Sequence, residues 1–414
     1  MRWASYLSES DGREHAALVA GDELRAVPET LLELLRADAL AAAAERALAD
    51  PVEVGPLAGA TLLAPVPEPP SVRDFMSFES HVVTSMAAIG SHVDPVWYQQ
   101  PVFYFTNPAA VRGPEGDIPV APGSAQFDYE LEVAAIIGRG GSDIAPAEAE
   151  AHIAGYTILC DWSARDIQMR EMRVGLGPAK GKDTATSLGP VLVTPDELEP
   201  YRTASGYDLS MTVAVNGREY SRGSWETVYW TFAQMIAYAS RGTELRPGDV
   251  IGSGTVGTGC ILELGRVHGG EAYPWLVPGD VVELEVEQLG VQRAPGRARG
   301  QVQRRTLRAQ PAEVRRMFGV AAHAGDDAGR VFDDDAAAGA AVTAGRARLA
   351  RRGLEVQDLA AFHRRPHAAM PTRASARPLS ARAKAATSPT TMIAGEASPR
   401  DAIRSGRSAS RPRT

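Results

Sequence analysis

Residues 127–138 read FDYELEVAAIIG, an apolar, strand-like run interrupted by two acids, Glu130 and Glu132. Successive strand side chains alternate faces, so the two carboxylates point the same way. Half-buried side by side without a partner, they would cost several kcal/mol or take up a proton. A hard divalent cation removes the conflict, because Mg²⁺, Mn²⁺ and Ca²⁺ all prefer carboxylate oxygen. The competing reading is a solvated strand face that carries two charges. A third acid, Asp161, follows Glu132 by 29 residues, where strand-like Tyr156–Cys160 runs into Asp161-Trp162-Ser163-Ala164-Arg165-Asp166. An acid leaving a strand end suits a facial oxygen site; Asp161 or Ser163 could equally cap a helix.

DYELE, followed by CDWSARDIQ and then GPAKGKDTATSLGP, resembles the fumarylacetoacetate hydrolase family. Further matches are RDFMSFESH and GSGTVGTGCILELG, so the resemblance spans about residues 72–290, with a weaker match to the leader before them. It implies an α+β, β-rich fold: a mixed β-sandwich roll with a small N-terminal β-rich domain, usually a homodimer. It implies a divalent metal, Mg²⁺ first with Mn²⁺ or Ca²⁺ as alternatives, held by Glu130, Glu132 and Asp161. Asp74 in RDF matches a fourth acidic ligand of the hydrolase branch.

The same resemblance casts His81 as a general base on water, oriented by Glu263 of CILELG, with Glu79 as the competing partner. A His–carboxylate pair fixes the tautomer and stabilises the imidazolium that forms, and near-neutral histidine basicity suits water activation. Lys182 in KGKD resembles an active-site lysine suited to a developing oxyanion or enolate. Tyr104, Arg165, Gln168 and Thr255 match substrate-contacting positions, and Arg165 could serve structure instead. Tyr104 in a strand could be core, and the glycines around Thr255 could be plain turn residues. Met76 and Met172 stand where the hydrolase proper resembles tyrosine, and methionine has no hydroxyl for a distal carboxylate. A smaller or more apolar acylpyruvate is therefore the expected substrate class.

The activity implied is metal-dependent hydrolysis of a carbon–carbon bond in a small 1,3-diketo or 2-oxo acid, through an enolate. The alternatives are a 2-oxo-acid lyase, decarboxylase, hydratase or isomerase on the same site, and a non-catalytic module that binds metal and small molecules.

The elements that must position these residues are mostly strands. Apolar runs at Val102–Phe105, Leu131–Ile137, Val191–Val193, Met211–Val215, Val250–Ser253, Cys260–Leu264 and Val281–Val286 are punctuated by Gly, Pro, Asn or Asp. Asn216-Gly217 is a hairpin turn with Arg218-Glu219-Tyr220 returning. Pro146–Ala154 and Thr231–Ser240 read as helices. No regular βαβ alternation appears, which disfavours a doubly wound sheet. Residues 1–63 form a small leader domain, 64–290 the catalytic body, and 291–414 an Ala/Arg-rich tail, since strand-like patterns stop near Gly290. The tail lacks regularly spaced large apolar residues and reads as disordered. A high-GC frame translated past its normal end would give the same bias, and a basic tail could also bind nucleic acid or an acidic partner.

A chain of 414 residues can bury a full core. Its net charge of −8 argues against a whole-surface nucleic-acid binder, so no nucleic-acid partner is expected. Two cysteines, Cys160 and Cys260, suit a reducing compartment. No signal peptide or membrane-length apolar run is evident, which makes cytoplasmic the expected location.

Overall fold

The structure, a computed structural model, describes residues 1–88 and 90–297; the expectations for residues 298–414 lie outside the described residues. The principal strands begin with β1 (Arg2–Leu7), β2 (Glu14–Ala20), β3 (Glu23–Val27) and β4 (Glu53–Pro56). Then come β5 (Val72–Phe75), β6 (Phe103–Thr106), β7 (Leu131–Ile137), β8 (Ile153–Asp161) and β9 (Thr186–Val193). The last group is β10 (Ser210–Val215), β11 (Arg218–Ser224), β12 (Val250–Gly252), β13 (Val281–Val286) and β14 (Gly290–Arg297). The principal helices are α1 (Leu31–Arg36), α2 (Leu40–Ala49), α3 (Glu79–Ala88), α4 (Arg165–Met172), α5 (Phe232–Ala239) and α6 (Ile261–His268).

One mixed sheet runs β4-β3-β2-β1-β9-β8-β7-β12-β5-β6, with Val111–Arg112 added beside β9. A second runs β11-β10-β13-β14 and ends on Ile118–Pro119. Alternation along β7 explains the layering. Leu131, Val133, Ala135 and Ile137 join a core with β10, β13 and β14, while Ala134 and Ile136 join Leu31, Leu34, Leu35 and Trp3 beneath the leader helices. β7 is thus buried on both faces, which is why it reads as a continuous apolar run.

Local chemistry sets the element ends. Thr30 and Glu33 form a capping box on α1, and Thr231 and Gln234 do the same on α5. Asn216 and Gly217 both take positive φ (52° and 78°), the conformation a two-residue hairpin turn requires.

The leader strands continue the large sheet, because β1 pairs with β9 at Arg2↔Val193 and Trp3↔Leu192. Three expectations need correction. Strand structure does not stop at Gly290: β14 pairs along the whole of β13. Its pattern was masked by Gln292, a polar residue that is fully buried and donates to the carbonyls of Ile158 at 2.8 Å and Gly189 at 3.1 Å. Cys260–Leu264 enters a helix, not a strand, because the Asp128 carboxylate accepts the first free backbone N–H groups, Ile261 at 2.8 Å and Leu262 at 3.1 Å. The stretch expected as a helix over Pro146–Ala154 makes one 3-10 turn, Ala149–His152, before β8 begins.

Candidate metal and acid–base site

Three strands carry the acids, and β12 lies between two of them. Asp74 on β5 stands opposite Gly252 of β12, Gly252 stands opposite Ala134 of β7, and β7 pairs with β8. Glu132 and Asp161 project from the same face of this sheet. Gly252 makes room for the arrangement: a β-carbon there would lie 2.6 Å from Asp74 Oδ1. Asp74, Glu132 and Asp161 converge, each offering an oxygen within 4.8 Å of the others, and all three are buried.

Burial dominates their electrostatics. It pushes Asp74 up to about 6 and Asp161 up to about 7, in both cases against the opposing pull of the Lys182 ammonium. Burial, joined by the charges of Asp74, Glu130 and Asp161, holds Glu132 well above the usual carboxylate range. Asp74 Oδ1 and Asp161 Oδ1 have no hydrogen-bond partner although both are buried. An all-carboxylate, partner-poor oxygen set of this kind fits a hard divalent cation.

Glu130 stands beside this group, held by two cations. Its Oε1 accepts Arg165 Nη2 at 2.8 Å, and its Oε2 is held by the Lys182 ammonium, so both oxygens are engaged outside the converging group. Burial would raise its pKa, but Arg165 and Lys182 outweigh that and hold the carboxyl well below its ordinary value. Lys182 also reaches Asp161 Oδ2 at 2.5 Å and thereby joins Glu130 to the group. The turn bearing Lys182 is pinned to α4, because Glu171 accepts the backbone N–H groups of Ala179, Lys180 and Gly181 at 2.8–3.0 Å. A β-carbon on Gly181 would lie 2.7 Å from the Gln168 backbone, so only glycine allows the turn to sit this close to α4.

The residues expected to touch substrate divide. Arg165 is buried, with Nε on Asp128 at 2.8 Å and a further edge on Gln168 Oε1 at 3.2 Å; its donors are committed to positioning side chains rather than to a ligand. Tyr104, opposite Asp74 across β5 and β6, turns its hydroxyl onto Asp161 at 2.6 Å and Asp74 at 3.2 Å. Its ring lines a cleft of about 280 Å³ between the Tyr104–Asn107 segment and residues 178–183, with Lys182 at the wall. Thr255 is buried just after Gly254, whose N–H donates to Glu132 at 3.0 Å. Gly254 takes φ +77°, and a β-carbon there would run into the backbone of Phe75 and Met76.

The geometry pairs His81 with Glu263. His81 Nδ1 lies 2.8 Å from Glu263 Oε2, both side chains are buried, and α3 packs against α6. Glu79 does not compete: it lies on the exposed side of α3 and accepts the Tyr98 hydroxyl at 2.7 Å. Sequence reasoning passed over two positioning residues, Asp128 and Glu171. Asp128 carried one signal, an acid two residues before Glu130 in the same apolar run.

The model for the fumarylacetoacetate (FAA) hydrolase C-terminal domain matches residues 71–295. The chain belongs to the fumarylacetoacetate hydrolase family. Among its relatives in that family, human mitochondrial oxaloacetate tautomerase FAHD2A is 31% identical over 268 residues, 64% of this chain and 79% of the relative. Among solved structures, fumarylacetoacetate hydrolase from Exiguobacterium antarcticum is 27% identical with a TM-score of 0.54, covering 72% of this chain and 100% of its own. The 5-carboxymethyl-2-hydroxymuconate delta-isomerase from Mycobacterium smegmatis is 26% identical, also with a TM-score of 0.54, over 72% and 100%. Hydrolase, isomerase and tautomerase names all occur within the family. Among the described residues, no helix is long and apolar enough to cross a membrane.

Proposed function

We propose that this chain is a divalent-metal-dependent enzyme that takes a small 2-oxo or 1,3-diketo acid through its enolate. The observation that carries this reading is the convergence of Asp74, Glu132 and Asp161, all buried, beside Lys182 and within electrostatic reach of His81 through Glu130. Asp74, Glu132 and Asp161 would hold the cation, Mg²⁺ first with Mn²⁺ or Ca²⁺ as alternatives, and Glu130 would join them where the ion takes the place of the Lys182 ammonium at its Oε2. Such an ion supplies a Lewis acid that makes the substrate carbonyl more electrophilic and its enolate less basic.

The chain's own groups do the rest. His81, its Nδ1–H fixed on Glu263, has Nε2 free to take a proton from water. The oxygen of that water adds to the carbonyl carbon, and the bond to the neighbouring carbon breaks. Its electron pair leaves as the enolate, and the proton on His81 is then available to quench it. The Lys182 ammonium and the Tyr104 hydroxyl stabilise charge on oxygen at the same wall. Arg165, tied to Asp128, fixes Glu130 in place.

A second reading is keto–enol isomerisation of a 2-oxo acid, with no water added. It is favoured by the tautomerase name of the 31%-identical human relative and the isomerase name of the M. smegmatis structure. His81 would then move a proton between carbon and oxygen. Incubating the Mg²⁺-loaded protein with an acylpyruvate and, separately, with enol-oxaloacetate decides between the two. Release of two carboxylate products from the acylpyruvate supports hydrolysis. Accelerated decay of the enol absorbance with no cleavage supports isomerisation. If neither occurs, both readings are overturned.

A further inference from the structure

The described residues contain a second group of converging ligand atoms, chemically unlike the first. His81, Cys260 and Glu263 each offer one atom within 4.8 Å of the others, and all three are buried. Cys260 Sγ lies 3.4 Å from Glu263 Oε2, the same oxygen that sits 2.8 Å from His81 Nδ1. The second carboxylate oxygen, Glu263 Oε1, is buried with no partner. Cys260 stands at the N-cap of α6 and Glu263 in its first turn, while His81 comes from α3, which packs against it.

The donor set is one imidazole nitrogen, one thiolate sulfur and one carboxylate oxygen. Hard ions such as Mg²⁺ avoid sulfur, whereas Zn²⁺ takes all three donor types in tetrahedral sites. Charge also balances: a thiolate and a carboxylate offset a dication, so the filled site can stay buried without a net charge. At zinc bond lengths of about 2.0–2.3 Å, the nitrogen and oxygen must separate by roughly half an ångström more than they do here. Glu263 can rotate to allow that, because its Oε1 has no bond to break. We propose that His81, Cys260 and Glu263 form a second metal site, selective for zinc-class cations over the Mg²⁺ class, and that filling it silences the His81–Glu263 pair. The ion takes the place of the proton on Nδ1, which moves to Nε2 and occupies the basic atom; the Cys260 thiol releases its proton to solvent, and Glu263 no longer orients the ring. The silencing half rests on the reading of His81 as the base; the binding half does not.

The test uses the full chain, stripped with chelator and reloaded with Mg²⁺, and titrated with Co²⁺ as a coloured stand-in for Zn²⁺. One equivalent of Co²⁺ should produce a thiolate-to-metal charge-transfer band that Zn²⁺ then bleaches. The band should persist in Cys160→Ala and vanish in Cys260→Ser, and Glu263→Gln should weaken Co²⁺ binding by about tenfold or more. If Cys260→Ser does not fold, the Glu263→Gln shift carries the same decision. Absence of the band in the parent protein, or its survival in Cys260→Ser, overturns the site. In turnover assays at saturating Mg²⁺, Zn²⁺ should inhibit the parent protein, and Cys260→Ser should need about ten times more Zn²⁺ for the same inhibition. A band that forms while turnover continues unchanged keeps the site but overturns silencing, and with it the role of His81 as base.

Discussion

His81 and Glu263 lie 182 residues apart in the chain, yet Nδ1 and Oε2 meet at 2.8 Å inside the protein. Each is carried by a helix flanking the sheet that holds the acids, and the carboxylate can only accept from the ring nitrogen that bears the proton. Nε2 is thereby left as the basic atom.

Glu263→Gln should therefore impair turnover without removing the metal. The amide can accept or donate, so it no longer selects one tautomer, and kcat should fall by about 10²–10⁴-fold. His81→Ala should lose at least as much. Steady-state kinetics alongside metal analysis of the same preparations checks this; equal loss of metal and activity would assign the pair a structural role.

Glu132→Gln should release the cation. It removes one of three converging carboxylates and leaves the Gly254 N–H its acceptor, so the fold is retained while Mg²⁺ or Mn²⁺ affinity drops. Calorimetric titration of the purified variant would show it, and unchanged affinity would exclude Glu132 as a ligand.

Without divalent ions, the acid cluster should make stability fall as pH rises. Asp74 and Asp161 have folded-state values near 6 and 7 against ordinary values of 3.8, so between these limits the folded state binds more protons than the unfolded one. Glu130, held low, acts oppositely, but its contribution is complete above its ordinary value of 4.5 and is lost only on further acidification. Thermal melts in chelator should show Tm declining from about pH 5 to pH 7, with Mg²⁺ removing the decline. A chelator-independent profile would contradict the cluster.

Gln292→Ala should destabilise by about 1–3 kcal/mol, since it strands the carbonyls of Ile158 and Gly189 in the core. Denaturant unfolding would register the shift, and a neutral result would place β14 outside the cooperative unit.

Much of this was legible in the sequence. Strand-length apolar runs located β7, β8 and β13, and Asn216-Gly217 announced its hairpin. Glu130, Glu132 and Asp161 were recognisable because acids in apolar strands demand a reason. Convergence was not legible: whether Glu130 or Asp74 completes the group depends on which cations lie beside each, and Arg165 and Lys182 claim Glu130. The choice between Glu79 and Glu263 was equally hidden, because it depends on how α3 packs against α6. The helix at Cys260 escaped notice since its cap, Asp128, is remote in sequence.

The leader's hydrogen bonding to β9 has a practical outcome for anyone trimming the gene. Excising residues 1–63 would lay bare the main-chain amides and carbonyls at the Leu192–Val193 end of β9, and would strip Leu188 and Leu192 of the helices that shield them. A raw strand margin of that kind recruits other chains. A minimal catalytic fragment beginning at the proline-rich connector should therefore precipitate rather than behave as an autonomous enzyme.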